Sequence, residues 1–194
     1  MTRQLLLHDE AMPREAAALE HDLVLRDGAL AHVRPIRPSD TERLRAFHAG
    51  LSADSIMFRF FHLVPMLSEQ DAEHFTHVDY QTRMALVATT VLDGTEQIIG
   101  VVRYESLGST RAEVAFVVAD QWQGHGIATI LLHLLAMYAR THGFNMFVAV
   151  TMGNNTRMLE VLRHAGFPHT LRYVGGDIEA ELDITVPPQP TFTS

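Results

Sequence analysis

Between Glu113 and Arg140 the chain runs from a strand, through two glycines, directly into a helix, and this passage constrains the fold more than any other stretch. Residues Glu113 to Asp120 are β-branched, aromatic and apolar, the composition of a buried strand. Ile127, Ile130, Leu131, Leu134, Leu135 and Tyr138 then recur at helical spacing. Gly124 and Gly126 sit where one becomes the other. A glycine-rich turn that opens a helix presents free backbone N–H groups at the positive end of the helix dipole, a site suited to an anion and above all to a phosphate.

Two common phosphate motifs are excluded. A dinucleotide fingerprint needs a third glycine where this chain has Thr129, and a P-loop needs a lysine, of which the chain has none. What remains is Gln121-x-x-Gly124-x-Gly126 followed by Ile127-Ala128, set behind a strand reading Ala112-Glu113-Val114-Ala115-Phe116. This pattern resembles the pyrophosphate loop and preceding strand of the GNAT superfamily of N-acetyltransferases, which bind acetyl-CoA. Ser52-x-x-Ser55-x-x-x-Arg59-Phe60-Phe61 and Val78-Asp79-Tyr80 are further similar to the GNAT module of bacterial protein lysine acetyltransferases.

The remaining elements agree with that resemblance. Asp27-Gly28 reads as a two-residue hairpin turn between short strands, after an alanine-rich helical stretch over about residues 9–20. Helices are expected after Pro38, over Ala53 to His62 and from Ser68, where Asp71 sits at the capping-box position. Strands over residues 83–92, 97–105 and 111–119 form an antiparallel meander joined first through Asp93-Gly94. A strand over 145–150, a helix over 155–164 closed by Gly166, and a hairpin around Gly175-Gly176 complete the chain. The fold class is α/β (α+β) with a mixed, mostly antiparallel sheet flanked by helices. The resemblance implies one splayed parallel strand pair in it. Residues 1–28 form an N-terminal extension with the first hairpin strand, 29–186 a single acetyltransferase domain, and 187–194 a proline-rich tail expected to be disordered.

Composition narrows the chemistry. With no cysteine there is no disulfide, thiolate metal site or cysteine acyl-enzyme. A net charge of −8 argues against nucleic acid and suits a cationic acceptor such as an amine. The chain shows neither a signal peptide nor an apolar run of membrane-spanning length, so a cytoplasmic protein is expected.

The resemblance implies roles by position. Pyrophosphate would lie on the N–H groups of Gln123, Gly124, His125, Gly126, Ile127, Ala128 and Thr129. The side chain of His125 is expected to face solvent. The backbone of Phe116 and Val118, with Val117 between them, would follow the pantetheine arm, and the Val118 N–H would donate to the thioester carbonyl. Asn155 matches the family's asparagine near the cofactor, and its type and place also fit a helix N-cap. Glu113 occupies the position of the general base, and its apolar strand would raise its pKa toward a useful range. The rival reading pairs Glu113 with Arg103 or Arg111 across the sheet. The tyrosine with which many relatives protonate the departing thiolate is replaced by Leu162; Tyr80, Tyr104, Tyr138 and Tyr173 are the alternatives. His74, His77 and Asp79 offer too few ligands for a metal, and none is expected.

The resemblance implies direct acetyl transfer from acetyl-CoA to a primary amine in a ternary complex, with a protein lysine as the favoured acceptor. A small-molecule amine, or an acyl-CoA-binding module without turnover, are the alternatives. Oligomeric state is left open.

Overall fold

The computed structural model describes residues 12–189. The N-terminal stretch before Met12 and the tail beyond Gln189, including parts of the expected first helix and disordered tail, lie outside the described residues. Eight strands form one sheet: β1 (His21–Val24), β2 (Leu30–Pro35), β3 (Arg83–Leu92), β4 (Thr95–Ser106), β5 (Arg111–Val118), β6 (Met146–Met152), β7 (His169–Val174) and β8 (Asp177–Asp183). Their spatial order is β1-β2-β3-β4-β5-β6-β8-β7, and every neighbouring pair is antiparallel except β5 with β6. The helices are α1 (Arg14–Ala17), α2 (Thr41–Ala49), α3 (Ala53–Phe60), α4 (Glu69–Thr76), α5 (Ile127–Thr141) and α6 (Thr156–His164).

Two cores lie on opposite faces of the sheet. On one, Ile127, Leu131 and Leu135 of α5 pack with Val102, Tyr104, Val114 and Val118, and Leu162 of α6 joins them. On the other, Leu44, Phe47 and Ile56 of α2 and α3 pack with Ala85, Val87 and Val101. Strand alternation divides β5 accordingly: Val114, Phe116 and Val118 turn to α5, while Glu113, Ala115 and Val117 share the face covered by α2, α3 and α4.

Several local expectations hold. Ser68 caps α4 by accepting from the Asp71 N–H (3.0 Å), and Asp93-Gly94 is a two-residue turn with both residues at positive φ. Others shift. The first hairpin turn has three residues, Arg26-Asp27-Gly28, closed by Leu25 N–H to Ala29 O (2.8 Å) and Gly28 N–H to Leu25 O (2.9 Å), with Gly28 at φ +86°. Helix α3 stops at Phe60 because Phe61 takes the left-handed conformation (φ 61°). The segment after β8 is held as far as Gln189, whose N–H donates to Gly166 O (2.8 Å).

Candidate active site

The glycine turn forms where the sequence places it. Gly124 and Gly126 have φ +83° and +88°, and Gly126 is the N-cap of α5 without a side-chain cap. Among the described residues the backbone N–H groups from Gly124 to Thr129 have no partner; the first bonded one is Ile130, to Gly126 O (3.1 Å). A Cβ on Gly124 would meet nothing within 4 Å, so the loop faces open space. The Gln123 N–H, by contrast, is tied to Asp120 O (3.3 Å), and its side chain spans the site. Gln123 Nε2 donates to Val118 O (3.0 Å) and Ser55 Oγ (3.2 Å), and its Oε1 accepts from Arg157 (2.5 Å). His125 departs from expectation. Rather than facing solvent freely it is half-buried, with Nδ1 on Gln123 O (3.0 Å) and Nε2 on Asp27 Oδ2 (3.1 Å), which fastens the loop to the β1–β2 turn.

The groove that continues from this loop is a break in the sheet. β5 and β6 pair only through Arg111↔Met146, Ala112↔Phe147 and Glu113↔Val148, and then part. Ala119 donates to Ile99 O on the β4 side (2.9 Å), so alternation turns the Val117 amide toward β4 as well. Phe116 and Val118 therefore aim their N–H groups into the gap. Val117 does not; its side chain lines a cleft under α2 and α3 instead. On the far strand Thr151 carries a buried hydroxyl with no partner among the described residues. Unpaired N–H groups along the gap and around the loop fit a long, thin, amide-bearing molecule that ends in phosphates. Asn155 caps α6, its Oδ1 accepting from the Met158 N–H (3.1 Å).

Glu113 lies at the point where β5 and β6 separate, but it is exposed, so the expected desolvation by an apolar strand is not present. Arg111, two residues earlier on the same face of β5, is exposed as well, so the start of this strand is open to solvent. The rival ion pairs do not form either. Arg111 pairs with Glu181 (2.5 Å), and Arg103 donates to Phe75 O (2.9 Å). The charge of Glu113 acts instead on half-buried Arg59, from the Ser52-to-Phe61 motif. Burial pulls the Arg59 pKa down and the nearby Glu113 carboxylate partly restores it.

Three of the four tyrosines are already occupied. Tyr80 donates to Ile36 O (2.9 Å), Tyr104 to Gln81 O (2.8 Å) and Tyr138 to Tyr80 O (2.7 Å). Burial raises the Tyr104 pKa and pushes that of Tyr138 up to about 12. Tyr173 is exposed in the terminal hairpin, and Leu162 is fully buried core. The His74, His77 and Asp79 trio is not assembled as a ligand set. His77 bonds Glu73 O, Asp79 accepts from Gln81 and Arg83 amides, and no group of three such side chains gathers among the described residues.

The sequence reading missed Asp120. Its carboxylate accepts from Ser52 N–H (2.9 Å), Ser52 Oγ (2.7 Å) and Ser55 Oγ (2.9 Å), pinning the start of α3 to the approach of the phosphate loop. Burial acts to raise the Asp120 pKa, yet these hydrogen bonds outweigh it and hold the group below the usual carboxylate range. Arg26 was missed as well; a Cβ built on Gly126 would lie 3.5 Å from its Nε, which puts a cation beside the loop. A serine pair three apart beyond a loop, with an aspartate just after the strand, was the available signal for the first. Nothing local announced the second.

Known proteins resemble this chain in sequence and fold. The family described as acetyltransferase (GNAT) domain matches residues 32–168. An acetyltransferase of Pseudomonas aeruginosa is 33% identical over 144 residues, covering 74% of this chain and 77% of that protein. The acetyltransferase Pat of Mycolicibacterium smegmatis is 30% identical over 172 residues, 86% of this chain; the chain spans 50% of that longer relative. The crystal structure of the GNAT domain of S. lividans PAT superposes with a TM-score of 0.79 at 38% identity, covering 86% of this chain and 98% of that one. With a glycine turn opening α5, its parted strands and a family match over most of its length, the chain belongs to the GNAT acetyltransferases.

Proposed function

We propose that the protein moves the acetyl group of acetyl-CoA directly to a primary amine, with a protein lysine as acceptor. The observation that carries the reading is the parting of β5 from β6 just past Glu113, which puts a carboxylate and the unpaired Phe116 and Val118 amides around one gap. The coenzyme supplies an activated thioester. The N–H groups from Gly124 to Thr129 hold its pyrophosphate, aided by Arg26. The Val118 N–H donates to the thioester oxygen as charge develops there. Glu113 accepts the proton that the amine gives up when its nitrogen bonds the carbonyl carbon and the carbon–sulfur bond breaks. Since Glu113 is exposed in the free protein, its desolvation is left to the acceptor that covers it. No tyrosine hydroxyl is free at the gap, so water protonates the departing thiolate.

Lysine as acceptor is supported by the likeness to the GNAT domain of S. lividans PAT and to Pat of M. smegmatis. The test is release of free coenzyme A thiol during incubation with acetyl-CoA and either lysine peptides or free amines. The protein contributes no thiol background, having no cysteine. Turnover with peptides above free amines is expected; turnover with free amines alone would move the acceptor to the small-molecule class.

A further inference from the structure

The face of the sheet that carries Glu113 also carries an unneutralised pair of arginines. Arg59 from α3 and Arg103 from β4 line one cleft, closed by Phe47, Phe60, Phe75 and Val117. The cleft is small, with about 30 Å³ of free space, and it opens to solvent. Arg59 stacks on Phe60 (5.0 Å) and makes no hydrogen bond or ion pair among the described residues. Arg103 stacks on Phe75 (4.3 Å) and donates only to the Phe75 carbonyl. The fold treats its fully buried arginine differently. Arg34 is held by both oxygens of Asp40 (2.7 and 2.8 Å) and by Glu96 (3.2 Å).

Two guanidiniums left without anions in a mostly apolar cleft are expensive unless something completes them. The carboxylates whose charge reaches them, Glu113 for Arg59 and Glu105 for Arg103, are exposed and form no ion pair with either. Burial and the neighbouring charges of Arg59 and Arg83 push the Arg103 pKa down to about 9. A planar anion bridging the two forks would supply the missing acceptors. From the cleft and the unpaired forks we infer that Arg59 and Arg103 form an anion subsite on the acceptor side, and that the preferred acceptor carries a carboxylate close to its reacting amine. This rests on the acetyl-transfer reading of the same site. The carboxylate can be an Asp or Glu side chain next to a lysine in a peptide, or the α-carboxylate of a free amino acid; the chemistry is shared and the two sources separate by experiment.

The experiment compares matched acceptors with the full chain: a lysine peptide with a flanking Glu against its Gln twin, and free lysine against lysine amide. In wild type the carboxylate-bearing member of at least one pair should have kcat/KM roughly 10- to 100-fold higher, chiefly through KM. In Arg59→Gln and Arg103→Gln that ratio should collapse toward one. Arg59→Lys, which keeps charge without the fork, should keep part of it. A merely structural role would lower both members of a pair together, and calorimetric binding of coenzyme A reports whether each variant is folded. Equal wild-type efficiencies within both pairs overturn the subsite while leaving acetyl transfer intact. An arginine-dependent preference for a dicarboxylic acyl-CoA, with no acceptor preference, also overturns it. If no amine turns over, the transfer reading fails, and the subsite is judged by titrating glutarate while following the arginine Nε–H NMR signals. Shifts confined to Arg59 and Arg103 support the subsite, and their absence overturns it.

Discussion

Glu113 stands directly opposite Glu105 across the β4–β5 ladder, and both side chains are exposed. Like charges directly opposite weaken a sheet, a cost set against the favourable reach of the Glu113 charge to Arg59. Glu113→Gln removes the repulsion and the proton acceptor together. Turnover should fall by roughly 10²–10⁴ while the melting temperature does not drop and coenzyme A affinity stays near wild type. The deficit should narrow as pH rises and more of the amine is neutral unaided. Equal rates from pH 6 to 9 would remove Glu113 from the mechanism.

At the loop, Gly126→Asp and Gly126→Ala separate conformation from charge. At φ +88° any side chain is strained, and the alanine variant should lose about 1–2 kcal/mol in chemical denaturation yet keep measurable coenzyme A binding. The aspartate variant places a carboxylate where the pyrophosphate would lie and should lose binding in calorimetry. Wild-type affinity in the aspartate variant would refute the phosphate assignment.

Acid should loosen the fold through Asp40. Burial acts to raise its pKa, but the Arg34 fork, the Arg37 N–H and Arg43 overcome that and lower it. A depressed folded pKa stabilises fully above the ordinary aspartate value of about 3.9 and is lost as pH falls through the folded value below it. Asp40→Asn should therefore cost about 3–5 kcal/mol at pH 7, where Arg34 is left buried without its partner. The gap from wild type should shrink in urea melts toward pH 2. A constant gap would mean that Asp40 is not the titrating group.

Asp120→Ala tests the link between α3 and the phosphate loop. Losing the Ser52 and Ser55 contacts should cost about 1 kcal/mol or somewhat more in stability. Because one carboxylate positions both sides of the site, coenzyme A Kd and acceptor KM should rise together. A change in only one of them would show that the two sides are set independently.

The absence of lysine gives a mass-spectrometric check on the amine mechanism. Incubation with acetyl-CoA should leave the intact mass unchanged, apart from one acetyl at the N-terminal amine. Several stable acetyl groups would mean transfer to hydroxyl or imidazole groups.

The loop and the strand order were legible because they depend on local chemistry. Gly124 and Gly126 are needed for backbone with positive φ, and the α5 stripe has one face to bury. The exposure of Glu113 was not legible. A strand's apolar composition shows that it lies in a sheet, not which of its positions the neighbouring elements cover. The hairpin turn was misjudged by one residue because Arg26 belongs to the loop, and its place beside Gly126 depends on contacts about a hundred residues apart. Arg59 and Arg103 were visible as letters, but their lack of partners appears only once every carboxylate has a position.

The short ladder between β5 and β6 also leaves the sheet with an internal seam, two strand edges facing each other without hydrogen bonds. Open edges invite pairing with foreign chains. A bound pantetheine arm would close the seam as a surrogate strand, so the ligand completes the sheet as well as feeding the reaction. Amide exchange at Phe116 and Val118 should slow on loading more than at Ala115 or Val117, whose N–H groups already face β4. The empty protein should also be the more prone to self-associate.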